Sequence, residues 1–314
     1  MHGKNQPRFY WATVVCVMLA MVIAISGCAR LSAMPKELVV EEGYAEVNGT
    51  KLYYEVCGKG EPLVLLHGQG ANTSIWDETF MALAKQRRVI RYDMRGYGRS
   101  AQYTTKPYTH EEDLRALLHS LSIDKAHIMG QSFGAIQALN YALAYPDNTK
   151  SLIMVGLGML PGAEGLPAPP EAMGKAYAAM GAELAEGNLE AAGRAALGLP
   201  GFGIVREDEV LSERMVGIFV FHWEHHLDNT DPDPLLPPQV PQAQRLAEVR
   251  VPVLNIIGEM DTEIRHVEAK LVQAGIPHAL HVDMAGCDHL PFWEAPETFN
   301  AIVSDFLAHV SGSG

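Results

Sequence analysis

Gly130-Gln131-Ser132-Phe133-Gly134 constrains this 314-residue chain more than any other stretch. It reads G-x-S-x-G, between the strand-like run Ala126-His127-Ile128-Met129 and the helical run Ala135 to Tyr145. A strand that turns sharply into a helix forces the central residue into a strained backbone conformation, and small residues on either side let the two elements approach. The turn lifts the Ser132 hydroxyl to the top of the sheet, where the helix start favours nearby negative charge. Ser132 is therefore a candidate nucleophile. Unsupported, the pattern could equally be a Gly/Ser turn without chemistry, so the rest of the chain must supply a base, an acid and oxyanion donors.

The chain opens outside this fold. Lys4 and Arg8 precede an almost wholly apolar run from Phe9 to Ile25, which ends in Ile25-Ser26-Gly27-Cys28. A basic lead, an apolar stretch and small residues read as an export signal. The stretch resembles a bacterial lipoprotein signal. That resemblance implies removal of residues 1–27, acylation of Cys28 and a tether over 28–37. The protein would then be exported and held at a bacterial membrane by lipid such as palmitate. An uncleaved anchor helix is one alternative, because the run is nearly long enough to span a bilayer, and a plain cleaved signal is another.

The formal charge is −13, and no Lys/Arg cluster lies outside the signal, which argues against nucleic acid as a partner. Of four cysteines, only Cys57 and Cys287 fall in the body, without a C-x-x-C. One ends an early strand and the other follows the last, so a disulfide between them is not expected.

Eight strands are expected. Tyr44–Val47 and Lys51–Val56 flank Asn48-Gly49, a hairpin signal. The others are 63–66, 89–92, 126–129, 151–155, 253–257 and 280–284. Thr109 and Glu112 form a capping box for a helix that presents Leu114, Leu117, Leu118 and Leu121. A last helix opens at Pro296 and presents Phe299, Ile302, Val303, Phe306 and Val310. This alternation predicts an α/β fold, with a mostly parallel eight-stranded sheet flanked by helices. After Val155 the alternation breaks. Two Pro-rich joints bracket helical patterns over 172–186, 189–197 and 207–227. The core then spans 38–156 and 242–314, with a helical cap over 157–241 that reads as a lid.

Candidates to serve Ser132 follow in order. Asp261 lies in Gly258-Glu259-Met260-Asp261, just past a buried strand, and His289 lies just past the last strand. Loops at the carboxyl ends of parallel strands are where such sheets place their sites. Histidine titrates near neutrality and suits a general base, and a carboxylate would orient it. Asp261 could instead cap the helix that starts near Ile264, and Glu259 is a rival carboxylate. Oxyanion donors are expected from the backbone N–H of Phe133 and of Gln69, the latter in His67-Gly68-Gln69-Gly70. His67 reads as a brace for that loop. Asp93-Met94-Arg95-Gly96-Tyr97-Gly98-Arg99-Ser100 reads as loop scaffold. His222, Glu224, His225 and His226 invite a metal reading, but lack H-E-x-x-H spacing and read as cap packing or pocket lining. Trp76, Phe219 and Trp223 are candidate pocket walls, with Met173, Met180, Met215 and Phe221 as further aromatic or thioether surface.

Together, His67-Gly68-Gln69-Gly70, Asp93-x-Arg95-Gly96-x-Gly98-x-Ser100, Gly130-x-Ser132-x-Gly134, Gly258-x-x-Asp261 and His289 with Glu294-x-Pro296 resemble the α/β-hydrolase superfamily with a helical cap. The resemblance runs from about Gly43 to Val310. It implies the α/β-hydrolase fold with the cap after the sixth strand, a Ser132–His289–Asp261 triad, and no metal or organic cofactor. The implied activity is serine hydrolysis of a carboxylic ester or lactone of a small to medium, apolar substrate through an acyl-enzyme. A cofactor-free perhydrolase or acyltransferase, a carbon–carbon hydrolase, and a non-catalytic ligand-binding protein on this fold remain open alternatives.

Overall fold

Asn48 and Gly49 turn the chain between β1 (Val40–Val47) and β2 (Thr50–Cys57), which pair antiparallel with Val47 opposite Thr50. The structure, a computed structural model, describes residues 38–227 and 233–312. The signal, Cys28 and the tether lie outside the described residues. β3 (Pro62–Leu66), β4 (Arg88–Tyr92), β5 (Ala126–Gln131), β6 (Thr149–Val155), β7 (Val253–Gly258) and β8 (Leu280–Met284) complete one eight-stranded sheet, in the order β1-β2-β4-β3-β5-β6-β7-β8. From β4 to β8 every pair is parallel.

That order positions the site. The chain leaves β3 for β4 on one side, through α1 (Asp77–Leu83), and returns to β5 on the other, so the loops after β3 and β5 emerge side by side, with Leu66 opposite Gly130. Ligands in such sheets bind where the strand order reverses.

Alternate residues of each strand face opposite sides. Val64, Leu66, Ile90, Ile128, Leu152 and Met154 share a core with Leu114, Leu117 and Leu118 of α2 (His110–Ser120) and Ala135 and Leu139 of α3 (Phe133–Ala144). Leu63, Leu65, Val89, Met129 and Ile153 face the other way and are also fully buried. A sheet covered on both faces is what continuous apolar strands imply. Thr109 caps α2 as expected, its side chain accepting from the Glu112 N–H. The last helix, Pro296–Ser311, buries Leu307 with Phe299, Val303 and Phe306, while Ile302 and Val310 stay partly exposed. Cys57 and Cys287 are both free and buried, at strands far apart in the sheet.

Between β6 and β7 the cap contributes α4 (Glu171–Ala185), α5 (Leu189–Ala196), α6 (Gly203–Glu207) and α7 (Glu209–His226). No sequence pattern predicts α6: at five residues it is too short to carry a helical period. Asp208 ends it and caps α7, accepting from the Leu211 N–H. Among the described residues no helix is long and apolar enough to cross a membrane.

Candidate active site

Ser132 adopts φ 52° and ψ −116° between β5 and α3, a conformation rare for any residue with a side chain. Its neighbours hold it there. The Ser132 N–H donates to Val155 O at 2.9 Å, and its carbonyl accepts from the N–H groups of Ala135 and Gly158, each at 3.0 Å. The hydroxyl makes no cap bond to its own helix and remains available for chemistry. Gly134 must be small, because a Cβ there would lie 2.4 Å from Leu66 O.

His289 and Asp261 are joined directly. His289 Nδ1–H donates to Asp261 Oδ2 at 2.7 Å, with both residues buried, and this leaves Nε2 as the ring's acceptor. Burial raises the Asp261 carboxyl. The charge and hydrogen bond of His289, the Thr262 N–H and Arg265 outweigh it and hold the group below its usual value. The helix that follows has Thr262, not Asp261, at its N-cap. Glu259 is engaged elsewhere, accepting from the Gly286 N–H at 3.0 Å.

The loops carrying this pair are laced together. Met260 N–H donates to Cys287 O at 2.8 Å, and Glu259 N–H to Met284 O at 2.9 Å. Glu294 accepts from the Asp288 N–H and, at 3.3 Å, from the Leu290 N–H, so one carboxylate grips both sides of His289. Burial raises that carboxyl to about 7.

The imidazole lies between two glycines. A Cβ on Gly156, which follows β6 at φ 49°, would sit 3.0 Å from His289 Nδ1. A Cβ on Gly201, in the cap at φ 98°, would sit 3.1 Å from His289 Cβ. Ser132 joins this group through backbone: Val155, whose carbonyl it binds, directly precedes Gly156.

Both expected oxyanion donors have free geometry. Phe133 is the first residue of α3, so its N–H has no partner within the helix. Gly68 O accepts from Ala71 N–H at 3.3 Å with Gly70 at φ 72°, a turn that leaves the Gln69 N–H out of its bond. His67 braces the loop: Nδ1–H donates to Gly68 O at 2.8 Å, and Nε2 accepts from the Met94 N–H at 3.0 Å. This fixes a neutral ring, and burial lowers its pKa to about 4. The Asp93–Ser100 loop is scaffold. Asp93 accepts from the N–H groups of Thr73 and Arg99, and Arg95 forms a two-pronged pair with buried Asp113 at 2.7 and 2.8 Å.

The cap closes over these parts with aromatic side chains. Phe219 lies against Gly70, where a Cβ would be 3.3 Å from its ring, and stacks on Trp223 at 5.7 Å. Phe202 meets both Phe219 and His289 edge to face, with centroids 6.3 Å apart in each case. Nothing in the local sequence marks Phe202, which sits in a loop before α6. Trp76, the other expected pocket wall, lies deeper. It is wholly buried 4.4 Å from the Phe292 ring and belongs to the core. His222 stacks on Tyr97 at 5.2 Å, and His226 Nε2–H donates to Gly98 O at 2.9 Å, so these histidines dock α7 on the scaffold loop. The described residues hold no group of three or more His, Cys, Asp or Glu side chains that could take a metal.

A family profile described as alpha/beta hydrolase fold matches residues 61–194. The chain is 30% identical over 273 residues to 2-hydroxy-6-oxononadienedioate/2-hydroxy-6-oxononatrienedioate hydrolase 2 of Pseudomonas putida, covering 82% of this chain and 92% of that one. Two solved structures share 26% identity. One is a carboxylesterase of the ammonia-oxidizing thaumarchaeon Nitrososphaera gargenis, with TM-score 0.70 over 87% of this chain and all of that one. The other is an N-acyl homoserine lactone degrading enzyme, with TM-score 0.64 over 84% of this chain and all of that one.

Proposed function

Because the chain belongs to the alpha/beta hydrolase fold family, we propose that it hydrolyses neutral carboxylic esters or lactones through an acyl-enzyme on Ser132. The observations that support this reading are the 2.7 Å His289–Asp261 pair and a serine held at φ 52°. His289 Nε2 takes the Ser132 proton as Oγ bonds to the substrate carbonyl carbon. The N–H groups of Phe133 and Gln69 hold the resulting oxyanion. The intermediate collapses, the carbon–oxygen bond to the alcohol breaks, and His289 returns the proton to the departing oxygen. Water, deprotonated by the same nitrogen, then releases the acid and frees Ser132. Asp261 orients the ring and stabilises its charged form. The core over 38–156 and 242–314 carries this chemistry, and the cap over 157–241 shapes the pocket.

Charge separates the ester reading from a dienedioate one. The Pseudomonas relative's name describes a dianion, which needs cations for recognition. The cap's cations are engaged elsewhere. Lys175 pairs with Glu171, Arg194 with Glu190 and Glu213, and Arg214 with Glu78, while Arg206 binds Leu197 O. Phe202, Phe219 and Trp223 are left to line the pocket, which suits an uncharged, apolar substrate.

The run from Lys4 to Cys28, basic, then apolar, then small residues closing on a cysteine, motivates a further part of the reading, that Cys28 carries lipid and holds the domain at a bacterial membrane. The mass of the N-terminal peptide from protein made in a bacterial host tests it: an unmodified Met1 or Cys28 removes the anchor.

The activity is tested by fluorophosphonate labelling beside Ser132→Ala, followed by matched neutral and carboxylated esters and lactones. A single adduct on Ser132, with neutral substrates preferred by about 100-fold in kcat/KM, is expected. Failure to label, or preference for the dianion, overturns the proposal.

A further inference from the structure

The cap segment Gly201-Phe202-Gly203 touches the loop of the catalytic histidine at every residue. Gly201 O accepts from the His289 N–H at 3.2 Å, Phe202 sets its ring edge to face with the imidazole, and the Gly203 N–H donates to Asp288 Oδ2 at 2.9 Å. Asp288 is 5% exposed, and its second oxygen, Oδ1, is buried with no partner. A buried carboxylate that leaves one oxygen unpaired is a poor way to fill space, since it gives up hydration without full replacement. Packing therefore does not account for an acidic residue next to His289, whereas an acceptor for the cap does.

We infer that Asp288 is a positioning residue: it latches the cap at Gly203 and thereby holds Gly201 and Phe202 against the His289 ring. His289 is then fixed on three sides. Asp261 holds Nδ1, Gly156 lies under the ring, and the cap lies over it. Asp261 belongs to the loop after β7 and Gly156 directly follows β6, so both are carried by strands of the sheet. The third side depends on the cap staying in place, and Asp288 is the side chain that joins it to this loop. The groups around Asp288 are Asp261 and His289, beside it in charge, and Glu294, which binds its N–H. The inference rests on His289 acting as the base.

Asp288→Asn keeps an acceptor for Gly203 and removes the charge, whereas Asp288→Ala removes both. Asp288→Ser, which is too short to reach Gly203, carries the same test should the alanine variant not fold. The full protein is assayed on a neutral ester, and the low-field proton resonance of His289 Nδ1 is recorded without substrate. Alanine or serine is expected to lower kcat by about 10- to 100-fold with KM within about 2-fold, the loss that follows misplacement of a catalytic group. The Nδ1 resonance should broaden. Asparagine should restore both. Equal loss in Asp288→Asn would assign the effect to charge and overturn the latch, as would a change confined to KM or a sharp Nδ1 resonance in the alanine variant. A wild-type protein that turns over no ester refutes the hydrolase reading alone, because the resonance still reports on the latch.

Discussion

Glu294→Gln separates two things this carboxylate does: it grips the His289 loop, and it carries a charge in a largely desolvated place. Burial raises its pKa from 4.5 to about 7, so between those values the folded state holds a proton that the unfolded state has released. Stability from this group is therefore fully present below about pH 4.5 and falls as pH rises through 7. The full shift corresponds to roughly 3 kcal/mol, and partial exposure of the side chain reduces this to about 2 kcal/mol. Glutamine has no such titration. It keeps one oxygen for the Asp288 N–H but turns an amide towards the Leu290 N–H, which costs about 1–2 kcal/mol at any pH. At pH 8 the two effects nearly cancel, and the variant should match the wild type. At pH 5 the variant should be less stable by about 0.5–1.5 kcal/mol. Urea unfolding of both proteins at pH 5 and 8 reads this as a difference of differences, so titrations common to both drop out. On a neutral ester kcat should fall by about 3- to 10-fold, because one of the two bonds flanking His289 is lost. Parallel stability of the two proteins from pH 5 to 8 would refute the argument that Glu294 holds its proton in the folded state.

Burial lowers the His110 pKa to about 3, so stability due to this neutral ring is present above about 6.5 and is lost as pH falls. Its Nδ1 is buried without a partner, so His110→Phe should cost little at pH 7.5 and reduce the loss at pH 5 by about 2 kcal/mol, read from denaturant midpoints. A Cβ on Gly134 would meet Leu66 O at 2.4 Å and His67 O at 2.5 Å. Gly134→Ala should therefore displace the Phe133 N–H and slow ester turnover by about 10²- to 10³-fold; a rate within about threefold of wild type would clear the elbow of this role. Asp113→Ala leaves Arg95 buried and unpaired beneath Tyr108, and should lose about 3–5 kcal/mol in urea unfolding.

The parts that sequence reading captured are those whose signal is local. The inner strands β3 to β7 carry their own apolar runs, and the elbow serine, the Thr109 cap and the Asn48-Gly49 turn are each specified within a few residues. Strand ends were less legible, since β1 begins at exposed Val40, where burial pattern gives no cue. The contacts that position His289 are long-range. Gly203 and Asp288 are 85 residues apart, and no periodicity links them. Phe202 has no pattern around it because a five-residue helix follows. Trp76 shows the opposite difficulty. A tryptophan just after the Gln69 loop suits a pocket or a core equally well, and its contact with Phe292, more than two hundred residues on, has no local signal.

The cap interrupts the sheet between β6 and β7, which puts the nucleophile on one side of it and both its proposed partners on the other. As the chain is made, Ser132 emerges more than a hundred residues before Asp261 and His289, and β7 and β8 must still dock on a sheet edge already formed by β6. A ribosome-bound chain thus lacks both proposed partners of Ser132 until its last strands are made, however well its first half has folded. On the proposed mechanism, assembly of the sheet and arming of the serine are one event, completed only when the last strand is in register.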